Sequence, residues 1–165
     1  MKRSNLRTLL CALLLNLLAS LPLQGSEFND LDGEPGLRSA SAMVISEDGS
    51  VIYSKDAETV RPIASVTKIM TAMVILDADL DLDEKVTVTK EDRDLIQLTG
   101  SRLEFGATLT RREMLMLAVM ASENRAATAL GRTFPGGMTA FVAAMNRKAA
   151  TLGMQHSHFA DPAGL

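Results

Sequence analysis

Apolar and polar positions change rhythm several times along this chain, and each rhythm predicts a different element. From Leu9 to Leu23 nearly every residue is apolar, behind a start that carries Lys2, Arg3 and Arg7. Asn16, Ser20 and Pro22 interrupt that run. Its length and flanks predict a secretory signal peptide over residues 1–25 rather than a spanning helix, with cleavage after Gly25. Residues 26–38 are rich in Asp, Glu, Gly and Pro and predict a flexible polar leader. Residues 39–165 then hold the folded domain. It opens with two short apolar segments, 39–46 and 51–54, around an Asp48-Gly49 turn, which predict a β-hairpin. A lone hairpin is marginal in water and needs a surface to pack on.

The rhythm turns helical over Ala64 to Leu80. Ile69, Met70, Met73, Val74 and Leu76 mark a broad apolar face, and Pro62 stands just ahead, where a missing N–H is tolerated. A short strand is expected at Lys85–Thr89, a charged link at Lys90–Asp94, and a loop or short strand over Leu103–Thr110. Thr110-Arg-Arg-Glu113 has capping-box spacing and opens a further helix. Met114, Leu115, Leu117, Ala118 and Val119 make that helix apolar nearly all round, so it is expected at the centre of a helical layer, with Met114, Met116 and Met120 in the core. Ser122-Glu123-Asn124 breaks the run. A helix over Arg125–Leu130 follows, stopped by Gly131. After the turn at Pro135-Gly136-Gly137, Met138–Leu152 forms an amphipathic helix. Phe141, Val142, Met145 and Ala149 lie on one side, and Gly153 is its stop. His158 to Leu165 reads as loop. Hairpin and helices together imply an α+β fold. One hairpin supplies too few strands for a covered sheet, so further strands are expected downstream of Leu165.

Composition narrows the class. Of 165 residues, 47% are hydrophobic and 22% charged, which is a globular balance. The net charge of −3 falls to −6 once the predicted signal peptide, residues 1–25, is removed, and there is no basic stripe, so a nucleic-acid partner is disfavoured. Cys11 is the one cysteine and lies inside the predicted signal peptide. The mature chain would therefore contain no disulfide.

The sharpest chemical feature is Ser65-Val66-Thr67-Lys68 at the head of a long apolar helix. Residues three apart share a helix face, so the Ser65 hydroxyl and the Lys68 amine can meet. A serine becomes a nucleophile when a neighbour takes its proton, and a lysine can do so when burial lowers its pKa. The N-terminal N–H groups of the helix also face any charge developing near Ser65. The alternative is a helix-capping serine beside an ordinary surface lysine. Ser122 and Asn124 interrupt a buried run, where polar groups are costly unless paired. They either present a hydroxyl and a carboxamide to a cleft or cap a helix–helix turn. In the first case Ser122 would pass a proton to a leaving amine, and Asn124 would bind Lys68 and a substrate amide oxygen.

Ser65-x-x-Lys68 followed by Ser122-x-Asn124 resembles the first two signature motifs of penicillin-binding proteins and serine β-lactamases. The Ala-Ser-Val-Thr-Lys context, the Thr-Ala-Met helix after it and the terminal Asp-Pro-Ala-Gly-Leu are similar to the low-molecular-mass D-alanyl-D-alanine carboxypeptidase family. Val60–Lys68, Ser122–Ala127 and Pro135-Gly-Gly137 resemble its endopeptidase branch. The resemblance implies the penicillin-binding, β-lactamase-like transpeptidase fold, a helical cluster packed on an antiparallel sheet. It implies Ser65 as acylated nucleophile, Lys68 as general base, Ser122 as proton shuttle and Asn124 as the residue aligning substrate and Lys68. It implies peptidoglycan stem peptides and cross-links as substrates, β-lactam antibiotics as covalent inhibitors and no metal or organic cofactor. Location in the periplasm follows, with no stable membrane span after signal cleavage.

Two departures stand out. Glu123 occupies a position where many carboxypeptidases of the family have Gly. The third family motif, Lys-Thr-Gly, is absent from these residues, so the chain is expected to be a truncated and inactive portion of a peptidase; a serine β-lactamase is the competing enzyme. Other residues keep plain readings. His156 and His158 lack partners at metal-ligand spacing. Asp79, Asp81, Asp83 and Glu84 form a solvated acidic turn rather than a calcium loop. Arg61 and Arg125 are expected in structural salt bridges.

Overall fold

Asp48 and Gly49 reverse the chain through a turn in which Gly49 takes φ +85°, a conformation that costs glycine least. The computed structural model describes residues 35–165, so the predicted signal peptide and most of the polar leader lie outside the described residues. The turn joins β1 (Ala42–Ile45) to β2 (Val51–Lys55) as an antiparallel hairpin, with Val44 opposite Tyr53 and a register shift between Val44 and Ile45. The Ser46 hydroxyl and the Ser50 backbone N–H, the latter at 2.9 Å, both donate to Asp48. These bonds hold its carboxyl down at about 2. No strand residue of this hairpin is buried among the described residues, and Val44, Ile45, Val51 and Ile52 are exposed.

The chain divides between Ala57 and Glu58 into two compact units, the hairpin in one and the helices in the other. In the second unit, a 3-10 turn over Ala64–Val66 runs into α1 (Thr67–Asp77). Strand β3 (Lys85–Thr87) pairs antiparallel with β4 (Thr108–Thr110), placing Val86 opposite Leu109. Helices α2 (Arg111–Met120), α3 (Asn124–Arg132) and α4 (Gly137–Thr151) follow. The predicted capping box is present: Thr110 Oγ1 accepts the Glu113 N–H at 3.1 Å, and Glu113 accepts the Thr110 N–H at 2.7 Å. Met70, Ile75, Met114, Leu130, Phe141 and Met145 meet in the core, with the Phe134 and Phe141 rings edge to face at 5.2 Å.

Three expectations are corrected. The helix expected at the centre of the layer, α2, buries only Arg111, Met114 and Ala118; Met116, Val119 and Met120 are exposed. The short α3 packs against α1, α2 and α4. Its Ala126, Ala127 and Ala129 permit that close approach. Gly131 does not stop α3 but lies inside it. A Cβ there would come within 3.1 Å of Met138, Phe141 and Pro162, so close packing rather than termination favours glycine. On α1, Ile69 and Leu76 are exposed, while Thr67, Lys68 and Thr71 take buried positions beside Met70 and Val74.

The charged link after β3 is also more deeply set than its composition implies. Asp92 is fully buried at the end of a 3-10 turn (Lys90–Asp92) and takes a bidentate grip from Arg132 at 2.8 and 2.9 Å. Removing one partner of such a pair strands the other charge. Asp92→Ala is therefore expected to lower stability by about 3–5 kcal/mol, against about 1 kcal/mol for loss of the α2 cap in Thr110→Ala. Urea unfolding of both variants checks the ranking.

Candidate active site

Helix geometry brings the first pair together. Ser65 lies in the 3-10 turn and Lys68 in the first turn of α1, and Lys68 Nζ donates to Ser65 Oγ at 3.0 Å. The junction of α2 and α3 brings the third group. Ser122 takes φ +54°, a left-handed backbone uncommon for a residue with a side chain, and its hydroxyl donates to Ser65 Oγ at 2.8 Å. Ala64, just before the serine, is likewise left-handed at φ +46°. Backbone strain of this kind persists only where the surroundings hold it.

Lys68 is 2% exposed. Its second bond runs to the Ala163 carbonyl at 2.8 Å. Burial pushes its amine below the ordinary lysine range, while Asp161 and Glu123 pull in the opposite direction. The segment holding Ala163 is shaped by one side chain. Asp161 accepts the backbone N–H groups of Ala163, Gly164 and Leu165 at 2.6, 2.7 and 3.1 Å. With those donors satisfied, the neighbouring carbonyls turn to α1: Thr71 Oγ1 donates to Pro162 O at 2.7 Å, beside the Lys68 bond. Asn146 on α4 pins the segment from its other end, exchanging two bonds with the Phe159 backbone at 2.8 and 2.9 Å.

Asn124 opens α3 on the same cleft, a cavity of about 880 Å³ that Ser65 and Ser122 also line. Its Nδ2 donates to Thr99 Oγ1 at 2.9 Å, and its Oδ1 is buried without a hydrogen-bond partner among the described residues. The two bonds of Lys68 thus go to Ser65 and Ala163, and the expected tie from Asn124 to Lys68 is replaced by one to Thr99. Glu123 caps α3 by accepting the Arg125 N–H at 3.2 Å and takes the Ser101 hydroxyl at 2.6 Å. Among the described residues Arg125 has no salt-bridge partner; it donates to Leu103 O at 2.5 Å and stacks 4.2 Å over the Phe105 ring. In the acidic turn, Asp81 accepts the Asp83 N–H and Glu84 pairs with buried Arg111. Sequence reasoning missed Thr99, Asp161 and Ala163, which meet the site across long stretches of chain and carry no motif spacing. Asp161 to Leu165 entered only through its family resemblance.

Against this geometry, the sequence profile described as D-alanyl-D-alanine carboxypeptidase, peptidase S11, matches residues 30–165. The chain belongs to the S11 peptidase family. It is 45% identical over 148 residues to a D-alanyl-D-alanine endopeptidase of Pseudomonas aeruginosa, covering 89% of this chain and 44% of that protein. With the endopeptidase of Escherichia coli it shares 47% identity over 133 residues, 80% of this chain and 43% of that one. The chain therefore spans under half the length of these curated relatives. A mutant of a Streptomyces DD-transpeptidase superposes with a TM-score of 0.72 at 31% identity, over 79% of this chain and 55% of that one. A D-alanyl-D-alanine carboxypeptidase structure from Mycobacterium tuberculosis gives 0.70 at 32% identity, over 81% and 50%. The fold is thus the α+β penicillin-binding type, and the carboxypeptidase and endopeptidase names of its relatives agree with the peptidase resemblance seen in the motifs.

In this S11 chain, Gly164 carries a steric test of the site. It sits at φ +80°, and a Cβ on it would lie 1.9 Å from the Ala64 carbonyl oxygen and 2.8 Å from Thr67 Oγ1. Gly164→Ala is expected to push the loop off the turn that carries Ser65. The unfolding midpoint of the variant in urea should drop, because the loop or the turn must shift to admit the methyl group.

Proposed function

We propose that the protein is a serine-type D-alanyl peptidase that cuts peptidoglycan stem peptides through an acyl-enzyme on Ser65. One observation carries the reading. A lysine that is almost wholly buried, with its amine pushed towards neutrality, is hydrogen-bonded to a serine hydroxyl that a second serine also touches. When Lys68 is neutral, an N–H can stay on Ala163 O while the lone pair turns to the Ser65 proton. Ser65 Oγ then attacks the carbonyl carbon of a D-alanine as its proton passes to Nζ. The C–N bond breaks, and the departing nitrogen receives a proton by way of the Ser122 hydroxyl, which Lys68 replenishes. Water then attacks the ester, releases the carboxylate and returns Ser65 to its hydroxyl form. Asn124, on the cleft wall, aligns the substrate amide.

Likeness to the two endopeptidases favours cross-links between stem peptides as the bond cut, with terminal trimming as the related carboxypeptidase reaction. β-Lactams would acylate the same serine, because their strained amide presents its carbonyl as the D-alanyl bond does. The basic and apolar start of the sequence supports export to the periplasm, where that substrate lies. No helix among the described residues is long and apolar enough to cross a membrane.

Penicillin labelling of the protein as its gene encodes it tests the chemistry. Ser65→Ala should abolish it, and Lys68→Ala should slow it by about 10²–10⁴-fold, the usual share of a general base. The acylation rate should rise with pH as Lys68 loses its proton, with an inflection below that of an ordinary lysine because burial disfavours the charged form. Labelling that survives Ser65→Ala would overturn the assignment. Release of hydrolysed penicillin within seconds would point to a β-lactamase instead.

A further inference from the structure

Asn124 can act on a substrate only if its amide faces the right way, and a side-chain amide has two nearly isosteric orientations. Donor and acceptor bookkeeping decides between them. Asp94 is 5% exposed and sits at the head of a loop whose backbone it organises. It accepts the N–H groups of Ile96, Gln97 and Thr99 at 2.9, 2.9 and 3.0 Å, and the Thr99 hydroxyl at 2.7 Å. The three backbone donors and the hydroxyl hold its carboxyl well below the usual range, so it is ionised and can only accept. The single Thr99 hydroxyl proton is therefore committed to Asp94. What remains on Thr99 Oγ1 is lone-pair density, and the group it meets at 2.9 Å must be a donor. Asn124 consequently presents its NH2 to the loop and keeps Oδ1 inward, where it is buried. One of the two Nδ2 hydrogens is spent on Thr99, and the other can serve an acceptor in the cleft.

We propose that Thr99, oriented by Asp94, is a positioning residue that locks the Asn124 amide so that it donates to a substrate carbonyl oxygen. The inference rests on the peptidase reading and adds to it the loop residues that set the polarity of one cleft wall. It also explains why the loop turns so sharply. Leu98 takes φ +54°, and Leu95, Ile96 and Leu98 point outwards at about 70% exposure, while the polar atoms of the loop converge inwards on one carboxylate.

The test uses the protein as its gene encodes it, with the second-order rate of acylation by a fluorescent penicillin as readout. Thr99→Val keeps shape and the backbone bond to Asp94 but removes both hydroxyl functions. It should lower the rate about tenfold, the effect of one neutral hydrogen bond. Thr99→Ser should restore most of that loss. Asn124→Ala sets the other side of a double-mutant cycle: adding Thr99→Val to it should cost less than twofold further, because the residue to be positioned is gone. A merely structural role for Thr99 would reappear in full on the Asn124→Ala background, and that outcome overturns the proposal even if the valine variant also unfolds earlier. A full rate in Thr99→Val overturns it as well. The Ser65→Ala control separates the two claims, since labelling there would defeat the peptidase reading itself.

Discussion

A single buried amine organises this site. Lys68 has lost nearly all contact with water, and an ammonium so placed is costly unless its donors are used. Ser65 and the carbonyl of Ala163 use two of them. The first partner comes free with the helix, three residues away. The second is delivered from 95 residues further along the chain, and much of the local architecture serves that delivery. Asp161 absorbs three successive N–H groups, which leaves carbonyls to face α1, and Gly164 lies against the Ala64 backbone where no side chain fits. The same approach supports both Lys68 and the turn that carries Ser65. Fold stability and site geometry are therefore coupled at Asp161 to Gly164 rather than separable.

The electrostatics of the amine are a contest between burial and acids. Asp161 and Glu123 favour its charged form, but both carboxylates are occupied with other donors. Burial is the larger influence and lowers the pKa. A base that remained fully charged could not take a proton from Ser65, and one stripped of all polar partners would have no fixed direction. Two neutral oxygen acceptors give the amine a fixed position without a direct counter-ion that would lock in its charge.

What could be read from the sequence follows the range of the interactions involved. Ser65 and Lys68 were legible because helical spacing alone brings them together. The Thr110–Glu113 cap, the hairpin turn and the apolar side of α4 were legible for the same reason. The joining of Ser122 to Ser65 was visible only as a polar break in an apolar run, and its meaning came from family resemblance. The partner of Asn124 and the second partner of Lys68 were not legible, because Thr99 and Ala163 arrive by tertiary contact and leave no periodicity. Periodicity also failed to rank the helices. An apolar sequence such as that of α2 shows that a face can be buried but not which neighbour covers it, whereas small residues in α3 mark the place where several helices crowd. Gly131 shows the ambiguity in one residue: termination and close approach make the same demand for a missing side chain.

The middle residue of the second motif gains a physical role from these contacts. Glu123 begins α3 as its cap and at the same time grips Ser101, while Arg125 two residues later binds the Leu103 carbonyl and covers Phe105. Both anchors hold the stretch that follows Thr99, so the loop is fastened to α3 on one side of Thr99 and folded around Asp94 on the other. A glycine at position 123 would leave the Ser101 hydroxyl without this acceptor and the first turn of α3 without this cap. In a chain with glutamate there, the serine and asparagine on either side belong to a junction that also holds the stretch from Ser101 to Phe105.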